Sequence, residues 1–397
     1  MQGFDLKAPP PGFVEDPWPH YAWLREAAPC HPQPDGSVIL SRYADLDAVY
    51  RDTARFISDK KAVFAPKFGA GSPLYAHHTT SLVFNDPPLH SRVRAIMVGA
   101  MSPRALASME PGLIALVDRL LDAMAARGEV DLIEEFAAAI PIELIGNLFA
   151  IPIEERAPLR AWSLAILGAL EPTLTPAQME WGNRSVTAFR AYLADLVARR
   201  RAAPGDPDTD VLTRLMTSEA GALSAEELYQ NCIFILNAGH ETTTNLIGNA
   251  LALLDAWPNQ RARLLQEPGL IATAIDEFLR FESPNQLGNR LTTETVVFHG
   301  VEIPPGTDLH LVIGAANRDP EKFAAPERLD LGRRPNKHLA FAGGAHTCVG
   351  LSLARMEGRI AVSRFLQRFP TFRLTPGAKR GGRLRFRGWA RLPAQLI

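Results

Sequence analysis

Hydrophobic positions recur with a helical period through most of the middle of the chain. Leu113, Leu116, Val117, Leu120 and Leu121 follow the 3, 4, 7, 8 spacing of an amphipathic helix, and the pattern stays helical from about residue 89 to 280. Residues 188–200 repeat it until Pro204-Gly205 stops the helix. Ser224-Ala225-Glu226-Glu227 has the form of a capping box and opens a long helix ending near Trp257. Outside this stretch the periods shorten. Val38-Ile39-Leu40 reads as a strand running into a helix start at Ser41-Arg42-Tyr43. Residues 60–85 read as a long irregular loop, which is uncommon inside a domain and usually functional. Residues 291–313 alternate as short strands around Pro304-Pro305-Gly306, and 314–345 read as polar loop. A last helix spans about 350–368 and short strands close the chain. Within them Arg383, Arg385 and Arg387 alternate, as in a strand with one polar face. The pattern predicts a mainly α fold with small β-sheets. No repeat, linker or low-complexity block interrupts it, so one domain over 1–397 is expected, against the length prior of two or three.

Composition narrows the function. The chain has 397 residues with Lys plus Arg 42 and Asp plus Glu 43, a formal net charge of −1. That balance offers no global attraction for nucleic acid. With 47% hydrophobic residues the chain is globular rather than disordered. Three scattered cysteines, Cys30, Cys232 and Cys348, make neither a disulfide framework nor a four-cysteine metal site. A reducing cytoplasm is the natural setting. The N-terminus has no apolar leader, and the longest near-apolar stretch, 161–170, is about half a membrane span. A cytoplasmic protein without membrane anchor is expected. Cys232 reads as core, and His77-His78 as a loop lining or a surface pair.

The segment 341–350 carries the most specific chemistry. Gly343, Gly344 and Gly350 frame Cys348, so something bulky can approach the backbone there. A helix begins just beyond, and its N-terminus stabilises a thiolate. Such a cysteine suits a nucleophile or an axial metal ligand; the alternative is a buried structural cysteine after a turn. Ala238-Gly239-His240-Glu241-Thr242-Thr243 places a glycine and poor helix formers inside the long helix, which weakens it where an acid and a hydroxyl stand. The alternative is close helix packing at a small residue. Glu277 and Arg280 sit three apart on one helical face, and His90 and Arg94 four apart.

These motifs resemble those of the cytochrome P450 family. Phe341, Gly344, His346, Cys348 and Gly350 match every fixed position of its haem-binding loop, with Ala342 where the family often has Gly or Ser. Residues 238–243 resemble the family's oxygen-binding helix motif. Glu277 and Arg280 resemble its Glu-x-x-Arg helix, Pro326-Glu327-Arg328-Leu329 its Pro-Glu-Arg-Phe segment with Leu for Phe, and 316–320 another of its stretches. The resemblance covers nearly the whole chain. It implies a P450-type α+β domain with haem b between two central helices and no fused reductase domain. It makes Cys348 the proximal thiolate ligand, which favours O–O cleavage. Thr242 becomes the hydroxyl near dioxygen and Glu241 the acid in proton delivery. His90, Arg94, Arg290 and His346 would bond haem propionates, with Ala238, Gly239, Phe341, Gly344 and Gly350 against the cofactor. Glu277, Arg280 and Arg328 would form a structural network.

The implied activity is insertion of one oxygen atom of O2 into a substrate, with electrons from a separate ferredoxin or flavodoxin and an NAD(P)H-dependent reductase. Arg104, Arg334, Lys337 and Arg355 are candidates for its docking face. Family topology puts Phe64, Phe68, Leu74, Leu82 and Val83 at the substrate. It adds Leu167, Leu170, Phe234 and Asn237 from two helices, and Gln286, Leu287 and Trp389 from later segments. Their apolar and aromatic character predicts a small hydrophobic, aromatic substrate with one polar end, hydroxylated or O-dealkylated. Two rivals remain. A peroxide-driven peroxygenase would carry Arg-Pro in place of Glu241-Thr242. A non-catalytic haem- or ligand-binding protein would not need that pair.

Overall fold

The computed structural model describes residues 3–207, 209–217 and 223–397. Early helices are α1 (Trp18–Ala27), α2 (Tyr43–Arg51), α3 (Lys61–Phe68), α4 (Pro73–Thr80), α5 (Leu89–Ala100) and α6 (Pro103–Ala125). The central ones are α7 (Ala139–Leu148), α8 (Leu159–Gly168), α9 (Pro176–Ala202), α10 (Val211–Thr217) and α11 (Ala225–Ala256). After them come α12 (Pro258–Gln266), α13 (Ile271–Phe281), α14 (Ile313–Ala316) and α15 (Leu351–Arg368). Strands are β1 (Cys30–Pro32), β2 (Val38–Leu40), β3 (Phe56–Ile57), β4 (Glu129–Asp131), β5 (Leu287–Thr292) and β6 (Val296–Phe298). The remainder are β7 (Val301–Ile303), β8 (Asp308–Val312), β9 (Arg373–Leu374), β10 (Lys379–Arg380), β11 (Trp389–Arg391) and β12 (Pro393–Gln395). The chain is mainly helical with small sheets, as the hydrophobic periods predict. Two compact units divide it: Met1–Ile57, Ile114–Ala138 and Thr242–Ile397 in one, Ser58–Leu113 and Ala139–Glu241 in the other.

The first unit holds a five-stranded sheet in the order β1-β2-β8-β5-β3, in which only β2 and β8 run parallel. Leu40, Leu46, Val49, Leu309 and Leu311 pack on it as an apolar core. Register sets Arg290 of β5 opposite Leu309 of β8. Beside the sheet, α13 packs against α15. Glu277 of α13 is fully buried and gathers donors from four places. Arg280 binds both its oxygens at 2.8 Å. Arg333 Nε reaches it at 3.1 Å, Asn336 Nδ2 at 3.1 Å and the Asp330 amide at 3.0 Å. Arg280 Nη1 in turn donates to the carbonyls of Asn317 and Pro326. One buried carboxylate thereby fastens the irregular stretch that leads to the cysteine loop.

Arg328 was expected in that network, and the structure corrects this. Its side chain is exposed and only its carbonyl takes part, accepting from Arg280 and Arg333. The Asp330 carboxylate caps the Gly332 amide in a turn, and that turn swings Arg333 rather than Arg328 back onto Glu277.

In the second unit, α8 and α9 form an extensive pair. Residues 60–85 are not an irregular loop. They form α3, α4 and a 3-10 turn at Leu82–Phe84. Ser72 Oγ caps α4 by accepting from the Tyr75 amide, and Pro73 suits the first helical position. Burial then outweighs the breakers, because Phe64, Phe68, Phe84 and His78 stack together with ring centroids 4.9–5.8 Å apart. His77 and His78 lie inside this packing, not at the surface. Residues 379–391 are strand only at their ends, because Arg385 and Arg387 turn inward to bond carbonyls and Glu282.

Replacing Arg333 with Ala should destabilise the fold by about 3 kcal/mol or more, because it strips a buried carboxylate of a partner. Arg328→Ala should stay within about 0.5 kcal/mol, as a surface change does. Urea unfolding of both variants checks the reassignment.

Candidate functional site

The cysteine loop is built around Tyr50. Gly344 has φ +64°, and a Cβ there would run into the Tyr50 carbonyl oxygen. Gly343 lies against the Tyr50 side chain from the other direction. The Arg290 guanidinium stacks over the same ring, 5.1 Å from its centroid. Tyr50 thus spaces Arg290 from the loop that carries the thiol. Its hydroxyl is buried without a hydrogen-bond partner, and burial pushes its pKa up to about 12. Sequence reasoning missed Tyr50; its only signal is a helical position two turns after Tyr43.

Within the loop the Cys348 amide donates to the Phe341 carbonyl at 3.0 Å, and Thr347 Oγ1 donates to the Gly344 carbonyl at 2.8 Å. Cys348 is exposed just ahead of α15, and no residue from Phe341 to Gly350 is buried. The loop therefore leaves the Cys348 thiol accessible. Phe341 is held by Arg355, whose guanidinium lies 5.0 Å from the ring centroid while its Nε donates to Asp276 at 2.8 Å. Arg355, expected on a docking face, is committed to this contact.

Helix α11 continues unbroken through 238–243, although weakening was expected there. Close packing explains Gly239, where a Cβ would overlap the Ile145 side chain. Between Gln230 and Leu251 every residue is buried except Phe234, Ala238, Gly239 and Thr242. These are spaced four, five and eight positions from the first, so they form one accessible stripe on a buried helix. Glu241 beside it is 6% exposed. Asn237 is 1% exposed, and neither end of its amide has a partner. His240 is held down to about pKa 3 by burial and by the nearby Arg160 charge, so it stays neutral. Below the stripe, Thr243 Oγ1 lies 3.5 Å from Glu357 of α15. Burial pushes the Glu357 carboxyl up to about 8.

Several expected substrate contacts are used elsewhere. Leu74 packs on Gly182 of α9, Leu287 lies in a core cluster with Leu24 and Val312, and Trp389 is stacked by the Arg380 guanidinium at 3.8 Å. Gln286 is buried and donates to the Ser283 carbonyl. Phe64 and Phe68 face each other and His78. Leu82 and Leu167 are buried, while Val83 and Leu170 are half-buried. His90 is buried on α5, Arg94 half-buried four residues on, and His346 half-buried in the cysteine loop.

Among the described residues no three His, Cys, Asp or Glu side chains cluster to hold a metal ion. A metal at Cys348 must therefore bring its other donors with it, as a porphyrin does. The outward thiol, the unburied loop and its glycine cradle fit that requirement.

The family model for cytochrome P450 matches residues 165–380. A vitamin D(3) 25-hydroxylase of Pseudonocardia autotrophica is 36% identical, over 92% of this chain and 89% of its own length. A biotin biosynthesis cytochrome P450 of Bacillus subtilis is 34% identical, over 91% of each. The crystal structure of P450BioI in complex with hexadec-9Z-enoic acid ligated acyl carrier protein superposes with TM-score 0.92 at 32% identity, covering 97% of this chain and 100% of that one. The chain belongs to the cytochrome P450 family and is a monooxygenase of that class, a family that takes its electrons from a redox partner. Among the described residues no helix is long and apolar enough to cross a membrane.

Glu357 generates a pH prediction. Its carboxyl titrates near 8 when folded, against an ordinary value of 4.5. The folded state therefore holds the proton longer, and stability from this group is lost as pH rises from 4.5 through about 8. The slope should approach ~1.4 kcal/mol per pH unit within that window. Glu357→Gln should flatten it, as measured by urea unfolding across pH.

Proposed function

We propose that the chain, acting as one catalytic domain, uses haem b to insert one oxygen atom of O2 into a hydrophobic substrate with an aromatic body and one polar end. Hydroxylation or O-dealkylation is the reaction. The observation that carries this reading is the exposed Cys348 thiol on a glycine-cradled loop at the start of α15. Bound haem supplies the activation of dioxygen, and the remaining work belongs to side chains.

Cys348 would be the axial ligand, with Phe341, Gly344 and Gly350 shaping its seat. His90, Arg94, Arg290 and His346 would hold the propionates. Ala238 and Gly239 keep the α11 stripe low enough for a small molecule to lie against it. Thr242 presents a hydroxyl on that stripe, and Glu241 holds the proton that the hydroxyl passes on. The buried, unpartnered Asn237 amide supports a polar group on the substrate. Phe234 supports an apolar or aromatic body. Electrons would come from a ferredoxin or flavodoxin served by an NAD(P)H-dependent reductase in the cytoplasm. The intact Glu241-Thr242 pair disfavours a peroxygenase and an inert haem protein alike.

An acyl chain is the second reading. It rests on the acyl-carrier complex of P450BioI and on a myxobacterial relative, CYP267B1, solved with myristic acid at TM-score 0.89 and 33% identity. Titration of the loaded protein separates the two. Aromatic acids and alcohols should shift the haem spin state at lower concentration than myristic acid does. The reverse order would replace the aromatic reading with the acyl one.

Thr242→Ala should keep consuming NAD(P)H while product per NAD(P)H falls and peroxide release rises. Unchanged coupling would remove Thr242 from proton delivery.

A further inference from the structure

Within the second unit, α4 and the turn after it are fastened to α11 at two neighbouring positions. His77 Nδ1 bonds Gln230 Oε1 at 2.8 Å, and the Leu82 amide donates to Asn231 Oδ1 at 2.9 Å. Both partners are tied down in turn. Gln230 Nε2 donates to Glu226 Oε1 at 2.6 Å, and Asn231 Nδ2 to the Glu227 carbonyl at 2.7 Å. His77 is 2% exposed, and its ring centroid lies 4.9 Å from that of His78 in the aromatic packing. Its second ring nitrogen, Nε2, has no hydrogen-bond partner among the described residues.

The chain fixes which nitrogen carries the proton. Glu226 pairs with Arg190 at 2.8 Å and, as a carboxylate, only accepts. The Gln230 amide therefore turns its NH2 to Glu226 and its carbonyl to His77. That carbonyl also only accepts, so the hydrogen sits on Nδ1 and Nε2 is left with a lone pair. Burial lowers the imidazole pKa to about 4, against the opposing Gln230 bond, so the ring is neutral. The free nitrogen is thus an acceptor and not a donor. Phe234 stands one turn after Gln230 on the same face of α11 and is half-buried, so the face opens there. Ala238 of the accessible stripe is one turn further, about 12 Å along the axis from Gln230.

We propose that His77 determines specificity by accepting, at Nε2, a hydrogen bond from a hydroxyl at the end of the substrate remote from the reacting carbon. The substrate is then an alcohol or phenol, with an apolar body long enough to reach from the Gln230 turn to Ala238, and not a carboxylic acid. This deepens the aromatic-substrate reading and rests on it. A hydroxyl placed there fills an acceptor that costs about 1–3 kcal/mol when left empty. A carboxylate would set its charge against the lone pair and leave water without gaining a donor. An ether has no hydrogen to give. Asn237 does not discriminate in this way, because its amide both donates and accepts. His77 takes no part in the chemistry; it chooses which molecule lies along α11 and which way round.

Calorimetric titration of the haem-loaded full chain tests this with three ligands that share one body: 4-phenylphenol, 4-methoxybiphenyl and biphenyl-4-carboxylate. The wild type should bind the phenol about tenfold more tightly than either of the others. His77→Phe should bring phenol and ether to near equality. Gln230→Met frees the ring to carry its hydrogen on Nε2, so the preference should shrink or turn toward the ether, with the carbonyl absorbance unchanged. It carries the comparison if His77→Phe does not fold. Equal binding of phenol and ether by the wild type, tighter binding of the acid, or an undiminished preference in a folded variant would overturn the proposal and leave the aromatic reading standing. Binding of none of the three would overturn both. A wild type without a thiolate-type carbonyl spectrum would instead sink the monooxygenase reading, while calorimetry would still decide the His77 contact.

Discussion

The buried carboxylate of Glu277 is the constraint on which the cysteine loop depends. It is fully enclosed, so it must be neutralised and hydrogen-bonded by the chain itself. Arg280 and Arg333 supply the charge, and Asn336 and the Asp330 amide complete the shell. Through Arg280 the same group fixes the carbonyls of Asn317 and Pro326. Asn317 then accepts from the Leu339 amide at 2.7 Å, two residues before Phe341. A stretch with almost no secondary structure thereby gains one conformation and delivers the thiol loop against Tyr50. Polar groups organise this region because it has too little regular backbone to organise itself.

Helix α11 serves two needs that conflict. Packing requires it to be buried on nearly every side, and chemistry requires an accessible stripe. Small residues reconcile them: Ala238 and Gly239 keep the stripe shallow, while Gly239 also admits Ile145 on the adjoining surface. Glycine and threonine cost helix propensity there. The helix stays intact because thirty-two residues of tertiary packing outweigh a few unfavourable ones.

Much of this was legible in the sequence. The capping box at Ser224 is formed as its spacing predicts, with Ser224 and Glu227 exchanging side-chain to backbone bonds. The amphipathic period placed α6, and β2 runs into α2 as its residues suggest. The rest depended on contacts between distant positions. No local signal shows that Phe64, Phe68 and His78 stack, so residues 60–85 read as loop. Nothing in the order of residues distinguishes Arg333 from Arg328 until the Asp330–Gly332 turn reverses the chain. Tyr50 and the contacts of Asn249 with Glu282 and Arg387 emerge only once sheet, loop and C-terminal segment are assembled. Trp389 and Leu287, both expected at the substrate, also have packing partners that only the fold reveals, the Arg380 guanidinium and the cluster of Leu24 and Val312.

The central claim is that Cys348 is a thiolate ligand of haem iron. The most direct test is the absorbance of the haem-loaded protein, reduced with dithionite, before and after carbon monoxide, with Cys348→Ser alongside. The account predicts a strongly red-shifted Soret band in the wild type and its loss in the variant. A Soret band at the histidine-ligated position in a folded wild type, or a variant spectrum equal to that of the wild type, would contradict it.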